Sequence, residues 1–354
     1  MSGVASADKI GFHTSKIEAY VNGEPIFPAT LELDITSQCT RTCGDCPSSR
    51  SRFQHNLSMD FIGKLFDTLE GQTKGLLLTG GEPTMSPLFP RVLRLAREKG
   101  FEDIAVVTNG SQLGDTSVID ALLGYASTIR VSLYDWGPES CGGIKPTLGR
   151  ITALKREIIG QGSPLQIGIS ALTTKDRVPR LLEIAESARS AGAHWIYYHP
   201  MCTGWSNGKL TQLDQSGVLD ALASHRHNGT DGFSVFVSPA RYAGTALTFS
   251  RYHAAHFLLV IGADGKNYLG AEVKYQPAFV LSDVAGNWRG DFLRSPERVE
   301  RINSFNSGAY SALLSRHRGV LYNDYMEKLI HKRETPSSPA GRDTANGLWF
   351  PHIL

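Results

Sequence analysis

The sequence predicts an α/β protein: a partial (β/α)6 barrel followed by a smaller C-terminal α+β extension. Two observations predict it. Between Thr30 and Pro200, six short apolar strands alternate with segments of helical spacing, the pattern of a parallel sheet joined by crossover helices. The segments richest in Cys, Gly, Asn and His stand just after those strands, on the rim where such sheets bind ligands. Six units are fewer than the eight of a closed barrel, so the sheet is expected to stay open.

The elements follow in order. Thr30 to Ile35 alternates, with Leu31, Leu33 and Ile35 on one face, and ends before a cysteine loop. Ser58 stands at a helix N-cap, with Phe61, Leu65, Phe66 and Leu69 at helical spacing after it. Gly75 to Leu78 is a buried strand that runs into Thr79, Gly80, Gly81, Glu82 and Pro83. Helix Leu88–Lys99, strand Asp103–Val107 ending in Thr108-Asn109-Gly110, and helix Val118–Leu123 come next. Strand Thr128–Leu133 leads to Tyr134, Asp135 and Trp136; helix Leu148–Ile159, strand Leu165–Leu172, helix Val178–Ser190 and strand His194–His199 complete the set.

Beyond this the pattern changes. Phe233–Val237 reads as an edge strand, and Phe257–Ile261 with Asn267–Leu269 as a hairpin around an Ala-Asp-Gly-Lys turn. Arg294–Asn303, Ala309–Arg316 and Tyr322–His331 read as helices. The expected organisation is a segment over 1–29, a barrel over 30–237, an α+β lid over 238–333 and a tail over 334–354. Glu334 to Gly347 lacks apolar spacing and is expected to be mobile.

Composition narrows the function classes. Lys plus Arg is 36 and Asp plus Glu is 34, a net +2, so no basic excess exists to hold a nucleic acid. The longest apolar run, Phe257–Ile261, is far short of the roughly 20 residues that span a membrane. The first ten residues have no apolar signal-peptide core. A soluble, cytoplasmic protein is expected, with neither a nucleic-acid nor a membrane partner.

The five cysteines are Cys39, Cys43, Cys46, Cys141 and Cys202, an odd count with three packed into one loop, which is a poor disulfide framework. Thiolates are soft ligands suited to iron–sulfur clusters, zinc or Cu(I). A closed structural zinc site needs four protein ligands, and the nearest downstream fourth is His55. Three thiolates on a four-iron cluster leave one iron open. The alternative is a zinc-binding scaffold with a distant fourth ligand.

The segment Cys39-Thr-Arg-Thr-Cys43-Gly-Asp-Cys46, with Thr79-Gly80-Gly81-Glu82-Pro83 after the second strand, resembles the radical S-adenosylmethionine (SAM) enzymes over about Leu31 to Met201. The resemblance implies that Cys39, Cys43 and Cys46 hold one 4Fe–4S cluster. It implies further that the open iron chelates the methionine moiety of SAM, that Gly80 and Gly81 admit its amino group, and that Glu82 and Pro83 shape the turn. Thr108, Asn109 and Ser132 match cofactor-contacting positions; strand-end residues of these types also cap backbone groups. One departure stands out: Gly44 replaces the aromatic residue usual after the second cysteine.

The stretch from Phe257 to Tyr275, with Asn287 and the SPERVERI segment, resembles the SPASM/twitch-like extension of peptide- and sugar-modifying radical enzymes, but has no cysteine after Cys202. His253 and His256 do not complete a metal site. A single cluster is therefore expected, with redox-neutral or decarboxylating chemistry on a small molecule, a sugar or nucleoside acid, and an external one-electron reductant such as flavodoxin or ferredoxin. The whole chain resembles the cytosylglucuronate decarboxylases of blasticidin-type nucleoside pathways. Alternatives are a sugar epimerase or dehydratase and a peptide-modifying enzyme; the 29 residues before the first strand are too few for a leader-binding domain. A buried substrate carboxylate needs a cation, for which Arg241 and Lys274 are candidates. Asp135 is a further substrate candidate. Tyr134 and His199 follow strand ends, and Cys202, just past the sixth strand, is a candidate hydrogen-atom donor; each of these also has an ordinary packing or surface role open to it.

Overall fold

The computed structural model describes residues 7–43, 46, 48, 54–134, 144–173, 177–200, 232–242, 248–309, 318–332 and 350–354. Gly44, Asp135, Trp136, Cys141, Cys202, most of the expected helix Ala309–Arg316 and the expected tail Glu334–Gly347 lie outside the described residues.

All six expected strands form: β1 (Thr30–Asp34), β2 (Gly75–Thr79), β3 (Asp103–Thr108), β4 (Thr128–Ser132), β5 (Gln166–Thr173) and β6 (Trp195–Pro200). Each pairs in parallel with the next. The crossover helices are α2 (Met59–Leu69), α3 (Phe89–Glu98), α4 (Thr116–Tyr125), α5 (Lys145–Gln161) and α6 (Leu181–Ser190), after α1 (Thr14–Val21) near the N-terminus. Ser58 caps α2 as its spacing predicts, its side chain accepting the Phe61 N–H at 3.2 Å. Asp115 caps α4 in the same way.

The expected edge strand is β7 (Ser234–Val237), parallel to β6. The hairpin is β8 (Leu258–Ile261) and β9 (Lys266–Tyr268), followed by β10 (Val280–Asp283). Sequence periodicity does not show where that hairpin docks: β8 lies parallel against the free side of β1. One ten-stranded sheet results, in the order β10-β9-β8-β1-β2-β3-β4-β5-β6-β7. The barrel is thus partial, with the C-terminal hairpin extending its first wall.

Alternation sorts the side chains by face. Leu31, Leu33, Leu76, Leu78, Ile129, Val131, Ile167, Ile169 and Ile196 join the core against the helices. The opposite face lines the barrel interior and carries polar groups, among them Glu32 and Asp34 on β1, Arg130 and Ser132 on β4, and Ser170 on β5. A second core joins α1, the segment before β8 and the C-terminal helix Arg318–Lys332 through Ile17, Phe257, Tyr322 and Met326. Among the described residues no helix is long and apolar enough to cross a membrane.

Candidate active site

The cysteine loop leaves β1 and returns to it. Its base is tied by Leu57 N–H to Ile35 O at 3.0 Å, Ser37 N–H to His55 O at 2.9 Å and His55 N–H to Ser37 Oγ at 2.8 Å. The turn after β2 lies directly on the start of this loop: Gly81 N–H donates to Thr36 O at 2.9 Å and Glu82 N–H to Gln38 O at 2.7 Å. Neither glycine tolerates a side chain. A Cβ on Gly81 would stand 2.1 Å from Gln38 O; one on Gly80, where φ is +119°, would stand 2.5 Å from Thr36 O. The glycines are therefore required by the close approach of two loops of the chain itself, a reason separate from the approach of a bound amino group.

Glu82 binds the turn to the third strand. It is fully buried. Its Oε1 accepts Thr108 Oγ1–H at 2.7 Å and Thr84 N–H at 3.2 Å, and its Oε2 accepts Asn109 N–H at 2.6 Å. Pro83 opens the short turn Pro83–Met85 behind it. Thr108 and Glu82 are thus braces, with polar atoms directed at each other.

Asn109 carries the link onward. Its Nδ2 donates to Cys39 Sγ at 3.5 Å and to Thr40 Oγ1 at 3.0 Å, while its backbone O accepts Arg41 Nη2 at 3.3 Å. Cys39 Sγ also accepts Arg41 N–H at 3.4 Å. Burial pushes the Cys39 thiol upward, against these two donors. Cys46 N–H turns back to Cys43 O at 3.3 Å, and none of the three cysteines is in a disulfide; Cys39 and Cys43 are exposed and Cys46 is half-buried. Among the described residues no three Cys, His, Asp or Glu side chains form a single-ion site. A four-iron cluster asks for something else: each thiolate meets its own iron, so three thiols on one short loop suit its donor set without converging on one point.

The remaining candidates lie on the interior wall. Ser132 ends β4 in register with Ser170. His199 Nε2 shares a hydrogen bond with Ser170 Oγ at 2.8 Å, stacks on Tyr197 at 5.5 Å and meets Tyr134 edge-on at 6.2 Å. Arg241 Nη1 donates to Tyr197 OH at 3.2 Å, and Arg177 Nη2 to Tyr134 O at 2.6 Å. Arg241, Tyr134 and His199 thus gather with Tyr197 and Ser170 near the strand ends.

Lys274 is placed differently from an open clamp. Its ammonium is buried and donates to Asp34 Oδ1 at 2.7 Å and Glu32 Oε1 at 3.1 Å. Tyr275 OH donates to Asp34 Oδ2 at 2.7 Å and accepts Ala263 N–H at 3.1 Å. Burial pushes the Asp34 carboxyl up, opposed by Lys274. Burial alone would lower the lysine, but the charges of Asp34 and Glu32 outweigh it and hold Lys274 protonated. A substrate carboxylate there would join two carboxylates already present. Tyr275 has φ +62°, uncommon for a residue with a side chain; its two hydrogen bonds fix it. The signal for this cluster is present in the sequence: two acids on the inner face of the apolar strand TLELDI.

Residues 33–192 match the family model described as the radical SAM superfamily. A probable GTP 3′,8-cyclase of Metallosphaera sedula is 28% identical over 191 residues, 51% of this chain and 59% of its own length. A GTP 3′,8-cyclase of Xanthomonas campestris pv. campestris is 38% identical over 99 residues, 25% of this chain and 29% of its own. The chain therefore spans at most about three-fifths of these curated relatives. Among solved structures, Streptococcus suis SuiB bound to S-adenosylmethionine superposes with a TM-score of 0.63 at 17% identity, covering 91% of this chain and 79% of that one. The enzyme anSMEcpe with bound AdoMet and a peptide gives 0.56 at 16% identity, covering 77% and 83%. These two show a shared fold. The family match by itself places the segment 33–192 with the radical SAM superfamily, whose cofactors are a 4Fe–4S cluster and S-adenosylmethionine.

Proposed function

We propose that Cys39, Cys43 and Cys46 hold the cluster and that the chain acts on a sugar-nucleoside acid, removing its carboxylate as carbon dioxide. The observation that carries the cofactor assignment is the three-loop lock. Gly81 and Glu82 pin the cysteine loop from one side, and Asn109 reaches Cys39 Sγ from the other. Loaded together, cluster and SAM supply a one-electron cleavage yielding a carbon radical that takes a hydrogen atom from a nearby C–H bond. The chain supplies placement, which by itself is worth roughly 7–11 kcal/mol.

Gly80, Gly81 and Ser132 border the SAM position, and Thr108 and Glu82 act by holding Asn109. His199 and Tyr134, on the interior wall, face the substrate, and Arg241 offers it a cation. After hydrogen abstraction and loss of carbon dioxide, one electron and two protons complete the product. The electron comes from an external reductant of flavodoxin or ferredoxin type. His199, held at Nε2 by Ser170, is the group we assign to proton delivery.

The cyclase relatives favour a second reading, ring closure on a nucleotide; both readings share an anionic nucleoside. The deciding experiment is anaerobic incubation of reconstituted, reduced enzyme and SAM with cytosylglucuronate or with GTP. Decarboxylation predicts 5′-deoxyadenosine together with loss of carbon dioxide from cytosylglucuronate. A GTP isomer of unchanged mass, with no decarboxylation, overturns it in favour of cyclisation.

A further inference from the structure

We propose that Asn109 tunes the reduction potential of the iron–sulfur cluster, through a side-chain N–H···S hydrogen bond to the sulfur of Cys39. The inference rests on the assignment of Cys39, Cys43 and Cys46 to the cluster made above, and adds a redox role which that reading does not contain.

The amide of Asn109 is oriented by its own partners. Its Oδ1 accepts Ser111 N–H at 2.8 Å. The NH2 end therefore points the other way, where it meets two acceptors, Thr40 Oγ1 at 3.0 Å and Cys39 Sγ at 3.5 Å. One amide hydrogen serves each acceptor. A flipped amide would set a carbonyl oxygen against the sulfur and an NH2 against the Ser111 N–H, so only one orientation satisfies all three contacts. Thr40 Oγ1 in turn donates to Ser111 Oγ at 3.2 Å and closes the ring of contacts.

The backbone of Asn109 is fixed as well. Its N–H donates to Glu82 Oε2 at 2.6 Å, and both residues are buried. The donor to sulfur thus stands on the brace at the ends of β2 and β3, outside the cysteine loop. That separates it from the other donor to the same sulfur, Arg41 N–H at 3.4 Å, which belongs to the loop itself.

The chemistry gives the bond a direction. A thiolate on iron keeps part of its negative charge, and an added electron increases that charge. A hydrogen-bond donor at the sulfur therefore stabilises the reduced cluster more than the oxidised one, and raises the potential. The electron comes from the external one-electron reductant: the cluster gains one, the reductant loses one, and no bond or proton is exchanged. Asn109 acts through Cys39 and is a positioning residue.

The test is an EPR-monitored redox titration of the anaerobically reconstituted full chain without SAM. Asn109→Ala should lower the reduced-to-oxidised ratio at a fixed ambient potential about fivefold, the scale of one hydrogen bond. Asn109→Asp, close in shape but lacking the donor and adding a negative charge, should lower it further. Thr40→Val removes the other acceptor and leaves the bond to sulfur, so it should shift the ratio less than Asn109→Ala. The ratio is read per loaded cluster, so a partial loss of iron does not mimic the shift. Labelling with heavy-nitrogen asparagine supplies a second readout: pulsed EPR of the reduced wild type should show coupling to that nitrogen, and Asn109→Ala should lose it. Should neither Asn109 variant load a cluster, the wild-type coupling decides, its presence supporting the bond and its absence overturning it. An unaltered ratio in loaded Asn109→Ala, or an equal fall in Thr40→Val, overturns the tuning role. A wild type without an iron–sulfur signal, or Cys39→Ala with its full complement of iron, refutes the ligand assignment instead. A normal wild-type cluster whose potential ignores Asn109 refutes only the tuning.

Discussion

The carbonyl oxygen of Gln38 occupies the place where residue 81 would carry a Cβ, only 2.1 Å from that position. Gly81→Val would therefore push the cysteine loop off the β2 turn before any question of cofactor contact arises. The expected result is loss of both iron incorporation and SAM binding, with the far-UV spectrum kept. Full iron retention with weakened SAM binding would mean that the residue serves the cofactor alone.

Glu82 joins two loops as an acceptor for Thr84, Thr108 and Asn109. Glu82→Gln keeps the shape but turns one acceptor into a donor facing other donors. A cost of about 1–3 kcal/mol is expected from the unpaired buried groups. Urea denaturation of the apo protein checks this, and the released Asn109 should also lower iron occupancy.

Lys274 distinguishes a structural cation from a substrate clamp. Lys274→Met leaves Asp34 and Glu32 buried together without the ammonium, and should destabilise the fold by about 3–5 kcal/mol. Chemical denaturation reads the loss. A variant of wild-type stability with weakened substrate binding would instead restore the clamp.

Acid should weaken the fold through buried histidines. Burial, then the Arg298 and His253 charges, lower His256 from 6.5 to about 3; burial and the His352 charge lower His13 to about 4. The unfolded chain binds these protons first, so stability is full above pH 6.5 and falls as pH drops toward those values, by about 1.4 kcal/mol per unit for each histidine. His256→Gln should flatten the decline in melting temperature between pH 6 and about 4, whereas an unchanged slope would assign the effect elsewhere.

The parallel units and the rim were legible because periodicity is local: β1, β2 and the Ser58 cap announce themselves within a few residues. The hairpin was legible as a hairpin, but its docking beside β1 depends on contacts more than 220 residues apart in the chain, which no local pattern encodes. The same distance hid the partnership of Lys274 with Asp34 and Glu32. Gly168 makes room for the indole of Trp195, which shows only once the two strands lie side by side.

The central claim is that Cys39, Cys43 and Cys46 support a four-iron cluster with one iron lacking a cysteine ligand. Mössbauer and EPR spectroscopy of anaerobically reconstituted protein, with and without SAM, tests it most directly. The account predicts about four irons and four sulfides per chain, a reduced-cluster signal that changes on adding SAM, and loss of that cluster in Cys43→Ala. A colourless protein with stoichiometric zinc and no acid-labile sulfide would contradict it.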